Sequence, residues 1–173
     1  MKHKKISDMA FIAVFSALIA VLSMVSIPVP FGVPVTLQTF IIAVAGFTLG
    51  SGRGMISVIV YIALGVVGLP VFSGFQGGLG ALFGMTGGFI VGFIPYVFMC
   101  GIRNKKYLFR LLSAFVGLII CHLCGIVWYY FLTDSFVSGI FTVSLPYLPK
   151  DIISILCALA VSDKLKPVIQ KFN

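Results

Sequence analysis

Apolar residues run through this chain in stretches too long to be the core of a soluble protein. No Asp, Glu, Lys or Arg occurs over residues 9–52, 54–102 or 111–133. A membrane-crossing helix takes about 20 mostly apolar residues, so the first two stretches each hold two spans and the third holds one. A sixth, shorter span runs over 148–165, with Lys150, Asp151, Asp163 and Lys164 near its ends. Proline and glycine punctuate the stretches and predict helices at about 9–27, 35–49, 55–69, 79–101, 108–132 and 148–165. The expected fold is an all-α bundle of six transmembrane helices. Residues 1–173 form a single integral membrane domain, with no room for a separate soluble one.

Composition agrees with the pattern. Hydrophobic residues make up 60% of the chain and charged residues 9%, which is too little polar surface to cover a core in water. Charge then orients the helices. Lys2, Lys4 and Lys5 precede the first helix, and Arg53 separates the second from the third. Arg103, Lys105, Lys106 and Arg110 lie between the fourth and fifth, and Lys164, Lys166 and Lys171 follow the end of the sixth. An even number of spans puts all of these on one side. The positive-inside rule makes that side cytoplasmic, with both termini there. Lys150 alone falls on the outer side. The net charge of +8 is juxtamembrane and scattered, which argues against nucleic acid as a partner. The basic start and first apolar run resemble a signal peptide, but the run ends in Ile27-Pro28-Val29-Pro30 without a small-x-small site, so it reads as a retained helix.

The next features are polar or irregular groups at membrane depth. Ala13 and Ala17, four apart on the first helix, form a small-residue stripe that lets another helix approach closely. Spacing alone does not say whether that helix belongs to this chain. An uncharged, proline-rich outer loop at 28–34 leads to Thr36 and Gln38, polar groups that need protein, water or ligand partners at the outer end of a short span. The stretch 72–88 is apolar but too glycine-rich for a continuous ordinary helix. Irregular backbone at this depth survives where protein buries it or where it lines a cavity, and such interrupted segments point to solute sites. Gly80, Gly84, Gly88 and Gly92 also recur at four-residue spacing, which favours close helix packing, and packing alone is the competing reading. Trp128 to Phe131 read as an outer aromatic belt. Cys121-His122-Leu123-Cys124 has a metal-like spacing but no second cluster to complete a site, so its cysteines read as small apolar residues and His122 as a helix-contact or interfacial residue.

Asp151 has two readings. It sits in the first turn of the sixth helix, where a carboxylate is favoured by the helix dipole. It also shares a face with Lys150 and Ser154, a grouping suited to a polar ligand. Catalysis is disfavoured. The chain has no Glu, and its Asp and His residues form no paired carboxylates, triad or metal cluster. Capture or transport needs only a shaped pocket with a few polar groups.

Four motifs then occur in order: Pro34-Val-Thr-Leu-Gln-Thr-Phe40, Gly65-Val-Val-Gly-Leu-Pro-Val-Phe72, Gly77-Gly with Gly84-Met-Thr-Gly-Gly88, and Leu148-Pro-Lys-Asp151. Together they strongly resemble the BioY family, the biotin-specific substrate-capture (S) components of energy-coupling-factor transporters, over nearly the whole chain. The resemblance implies a six-helix bundle in a bacterial plasma membrane that binds biotin from outside. It also implies docking, through a stripe matched by Ala13 and Ala17, on a transmembrane coupling subunit driven by two ATPase subunits. No cofactor is implied, and the chain itself carries no ATP-binding motif.

By the same resemblance Asp151 matches the family's ligand-binding aspartate, which accepts hydrogen bonds from the ureido N–H groups of biotin. Gln76 matches a polar position in the glycine loop, and Gly77 and Gly78 allow close backbone approach to the ligand. Phe72 and Phe83 pack on its apolar rings, while Thr36 and Gln38 cover or line the site. The chain departs from the family at three positions: Lys150 replaces a glycine, Ser154 replaces a lysine, and Met85 replaces a proline. Lys150 is read as supplying the displaced positive charge. Capture of another small vitamin, or membrane-embedded catalysis, is the alternative function.

Overall fold

The computed structural model describes residues 2–28, 34–104 and 106–170. The interior of the proline loop 28–34, Lys105 and Lys171, and the side chains of Lys2 and Lys4, lie outside the described residues. The described chain is almost entirely helical: α1 (Lys2–Met24), α2 (Gln38–Leu49), α3 (Ser51–Val66), α4 (Leu79–Phe83), α5 (Gly87–Cys100), α6 (Tyr107–Thr133), α7 (Phe136–Gly139) and α8 (Leu148–Gln170). A two-residue antiparallel ladder joins β1 (Ser26–Ile27) to β2 (Val35–Thr36) across the proline loop. All six predicted helices have a counterpart, but the fourth is not continuous. The predicted helix at 79–101 is broken into α4 and α5 at Gly84, whose backbone is extended. Residues 35 and 36 pair as a strand instead of opening α2. The expected loop before the last helix contains α7 and a π-helical turn, Ile140–Ser144.

Side chains sort in the opposite sense to a soluble helix. On α6 the residues Leu112, Val116, Ile119, Leu123 and Val127 form an exposed apolar face at three- to four-residue spacing. The small or polar residues Ser113, Gly117, Cys121, His122 and Gly125 point into the bundle. On α8 Ile152, Ile153 and Leu156 are exposed, while Asp151, Ser154 and Ser162 are buried. Water penalises such a surface, whereas hydrocarbon matches it. By length and composition, Lys5–Met24 and Tyr107–Thr133 suffice to cross a membrane, and α2, α3 and α5 are shorter apolar helices.

Helix α2 is the centre of the bundle. Every one of its residues except Phe40 is buried. At 12 residues it is about 18 Å long, well short of a ~30 Å hydrocarbon layer. Small residues set the tightest helix contact, between α5 and α6. A Cβ on Gly88 would collide with the Cys124 carbonyl and Trp128, and one on Gly92 would sit 3.0 Å from the Cys121 Cα. In return, Phe89 of α5 occupies the space above Gly125 of α6. The predicted four-residue glycine stripe is therefore only half used. Gly80 faces open space, and Gly84 lies in the break between helices.

Two ion pairs fasten the helices at one end of the bundle. Arg53 Nη1 of α3 lies 2.6 Å from Asp8 Oδ1 of α1, and Arg110 Nη1 of α6 lies 2.8 Å from Asp163 Oδ1 of α8. The opposite end is occupied by a cavity. Ala13 and Ala17 are exposed on the outer face of α1, between the equally exposed Val14 and Leu18.

Candidate functional site

The cavity opens to the surface at this end of the bundle. It lies over the first turns of α2, α5 and α8. Thr36, Gln38 and Thr39 come from the α2 end, Thr86, Phe89, Ile90 and Phe93 from the α5 end, and Tyr147, Lys150 and Asp151 from the α8 end. Pro34, Phe72, Ser73 and Val143 complete the wall. One side is thus aromatic and aliphatic, and the other is polar. This is the usual make-up of a small-molecule pocket.

Asp151 is buried at the polar side with 3% of its surface exposed. A carboxylate there requires compensating donors, and the chain brings three from three different helices. Thr39 Oγ1 donates to Oδ1 at 2.5 Å. Lys150 Nζ forms an ion pair with the same oxygen. His122 Nε2 lies 3.1 Å from Oδ2, and its Nδ1 lies 2.9 Å from Ser144 Oγ. Lys150 Nζ is held further by the Thr36 carbonyl and by Thr39 Oγ1, each at 3.1 Å. A carboxylate has about four acceptor positions, so one stays available on the cavity side.

Thr36 and Gln38 solve their burial mainly by pairing. Thr36 Oγ1 donates to Gln38 Oε1 at 3.0 Å, and Gln38 Nε2 donates to the Tyr61 hydroxyl at 2.9 Å. Phe72 packs edge-on against Tyr61 with ring centroids 5.6 Å apart, and only a glycine at position 65 leaves room for its ring. Beside it, the buried Ser73 Oγ has no hydrogen-bond partner among the described residues.

Of the site residues expected from sequence, Thr36, Gln38, Phe72, Lys150 and Asp151 are brought together in the wall. Gln76, Gly77, Gly78, Phe83 and Ser154 are not. The glycine loop folds back on the end of α3, where Gly78 N–H donates to the Gly65 carbonyl at 2.7 Å. The close backbone approach that glycine permits at 77 is to the Leu69 carbonyl of the chain itself. Gln76 is exposed, and its carbonyl accepts from Phe72 N–H at 2.9 Å. Phe83 is 62% exposed and stacks on Trp128, whose Nε1–H donates to the Gly84 carbonyl at 3.0 Å. Trp128 thus pins the helix break, while Tyr130 and Phe131 are the exposed aromatics of that turn. Ser154 is buried one turn further along α8 and is not part of the wall.

Sequence reasoning missed Thr39, His122, Ser144, Ser73 and the aromatic wall of α5. For His122 a signal was available, because an ionisable residue inside a membrane helix needs a partner. The contacts of Thr39 carry no such signal, since its partner Asp151 is 112 positions away.

The family model described as the BioY family matches residues 1–171. A probable biotin transporter BioY from Pyrococcus horikoshii is 33% identical over 165 residues, covering 94% of this chain and 98% of that protein. The biotin transporter BioY of Thermotoga maritima is 34% identical over 156 residues, covering 88% and 92%. Among solved structures, the crystal structure of the S-component for biotin from an ECF-type ABC transporter superposes with a TM-score of 0.88 at 26% identity, covering 96% and 94%. A match across almost the entire length, in sequence and in fold, leaves one assignment: this chain is a member of the BioY family, and a membrane protein.

Proposed function

We propose that the chain captures biotin from the outer side of the plasma membrane and acts as the substrate-binding subunit of an ECF-type transporter. One observation carries the reading: a buried carboxylate, held by three donors, keeps acceptor capacity on the polar side of a cavity whose other side is aromatic and aliphatic. Biotin has the complementary chemistry. A ureido N–H is the donor for the acceptor position that Asp151 keeps, and the bicyclic rings and valeryl chain suit Phe72, Phe89, Ile90, Phe93 and Val143. Lys150 lines the same cavity, and because Asp151, the Thr36 carbonyl and Thr39 Oγ1 already engage its three N–H groups, it binds biotin's carboxylate by exchanging one of them.

In this reading six helices (α1, α2, α3, α5, α6 and α8) span the bilayer as one domain, with both termini in the cytoplasm. The transmembrane coupling subunit docks on the stripe of Ala13 and Ala17, and two ATPase subunits energise it. The exposure of both alanines supports that contact. Capture, not catalysis, is the proposed chemistry. The test is equilibrium binding of tritiated biotin to the purified chain in detergent. Wild-type protein is expected to bind, and Asp151→Asn to bind about 10–100-fold more weakly, because a charge-assisted hydrogen bond becomes a neutral one. Wild-type protein that ignores biotin would overturn the proposal.

A further inference from the structure

We propose that His122 is a positioning residue for the ligand: it fixes the Asp151 carboxylate toward the cavity and ties it to the wall segment that carries Val143 and Tyr147. The inference rests on Asp151 being the acceptor for biotin, as proposed above.

His122 is 4% exposed and projects from the middle of α6 toward α8. Both of its nitrogens are engaged. An ionised carboxylate can only accept, so Nε2 carries the hydrogen and donates to Asp151 Oδ2. Nδ1 pairs with the Ser144 hydroxyl, which can donate or accept. One imidazole therefore links Ser144 to Asp151. Phe89 closes edge-on against the imidazole, with centroids 5.6 Å apart.

The relay matters because an aspartate has a soft terminal torsion. Thr39 and Lys150 both bind Oδ1, so His122 is the donor that sets where Oδ2 points. At its other end the relay meets the π-helical turn Ile140–Ser144, a rare conformation that recurs at functional sites. That turn supplies Val143 to the cavity wall, and Tyr147 follows it. A single imidazole thus joins the cavity's acceptor to its flank.

Two amide substitutions separate positioning from mere packing. The amide nitrogen of Gln reaches about where Nε2 sits and keeps the donation to Asp151, whereas the shorter Asn amide reaches only the Nδ1 position. Tritiated biotin binding to the purified full chain should weaken about 10–100-fold in His122→Asn and stay within a few-fold of wild type in His122→Gln. The thermal unfolding of the two ligand-free variants should be alike. Wild-type affinity in His122→Asn, or equal losses in both variants, would overturn the inference. If His122→Asn does not fold, Ser144→Ala decides: reduced affinity supports the relay, and unchanged affinity removes it. A wild-type chain that fails to bind biotin is a different result, because it overturns the capture reading itself along with the ligand assigned to Asp151.

Discussion

Lys150 carries the largest difference between this chain and the motif it resembles. Its Nζ reaches the Thr36 carbonyl, Thr39 Oγ1 and the Asp151 carboxylate together, so it joins α8 to β2 and α2. A cation in that place orders the polar wall and lines the cavity. Lys150→Met keeps the length and packing of the stem but removes the charge. Biotin affinity, measured by equilibrium binding, is expected to fall about 10-fold or more. Unchanged affinity would mean that the cation serves only the internal network. Sequence pointed to Asp151 and Lys150 because neighbours along one helix face can be read from spacing. Thr39 and His122 complete the same group from α2 and α6, and spacing within α8 says nothing about them.

At the scale of elements, the α5–α6 contact is sensitive to size. Gly88 lies against the Cys124 carbonyl and Trp128, so any side chain there must move backbone. Gly88→Leu should lower stability by ~1–3 kcal/mol or more, seen as an earlier thermal unfolding transition in detergent. Gly80→Leu is the control from the same periodic series. It meets open space, and its melting should match wild type. The long helices were legible in the sequence because charge-free stretches of sufficient length have few other folds. The broken one was half legible. Glycine content warns against a continuous helix, yet the apolar run over 79–101 still predicts one. The deciding contact, Trp128 Nε1 to the Gly84 carbonyl, joins residues 44 positions apart. The two-residue strands and the π-helical turn left no trace because neither is long enough to impose a period on the sequence.

For the molecule as a whole, the cavity and the proposed docking stripe are separate surfaces. Ala13 and Ala17 are exposed on α1, and neither lines the cavity. Replacing both with leucine keeps an apolar, lipid-compatible face while preventing close approach of another helix. Biotin binding by the purified double variant should equal wild type. Uptake of labelled biotin by cells that supply the coupling and ATPase subunits should drop toward background. Full uptake would place the docking contact elsewhere.

The site's three short helix beginnings have one more consequence. Aligned peptide dipoles give each helix start roughly half a positive charge, concentrated within its first turn. Thr39, Phe89 and Asp151 put the starts of α2, α5 and α8 around one cavity, and neither α2 nor α5 has a side-chain cap at that end. The formal charges of Lys150 and Asp151 cancel, but the electrostatic potential in the cavity does not. Backbone dipoles add a fixed positive bias that no side-chain substitution removes. That bias favours an anionic group on a guest whatever side chain stands at position 154.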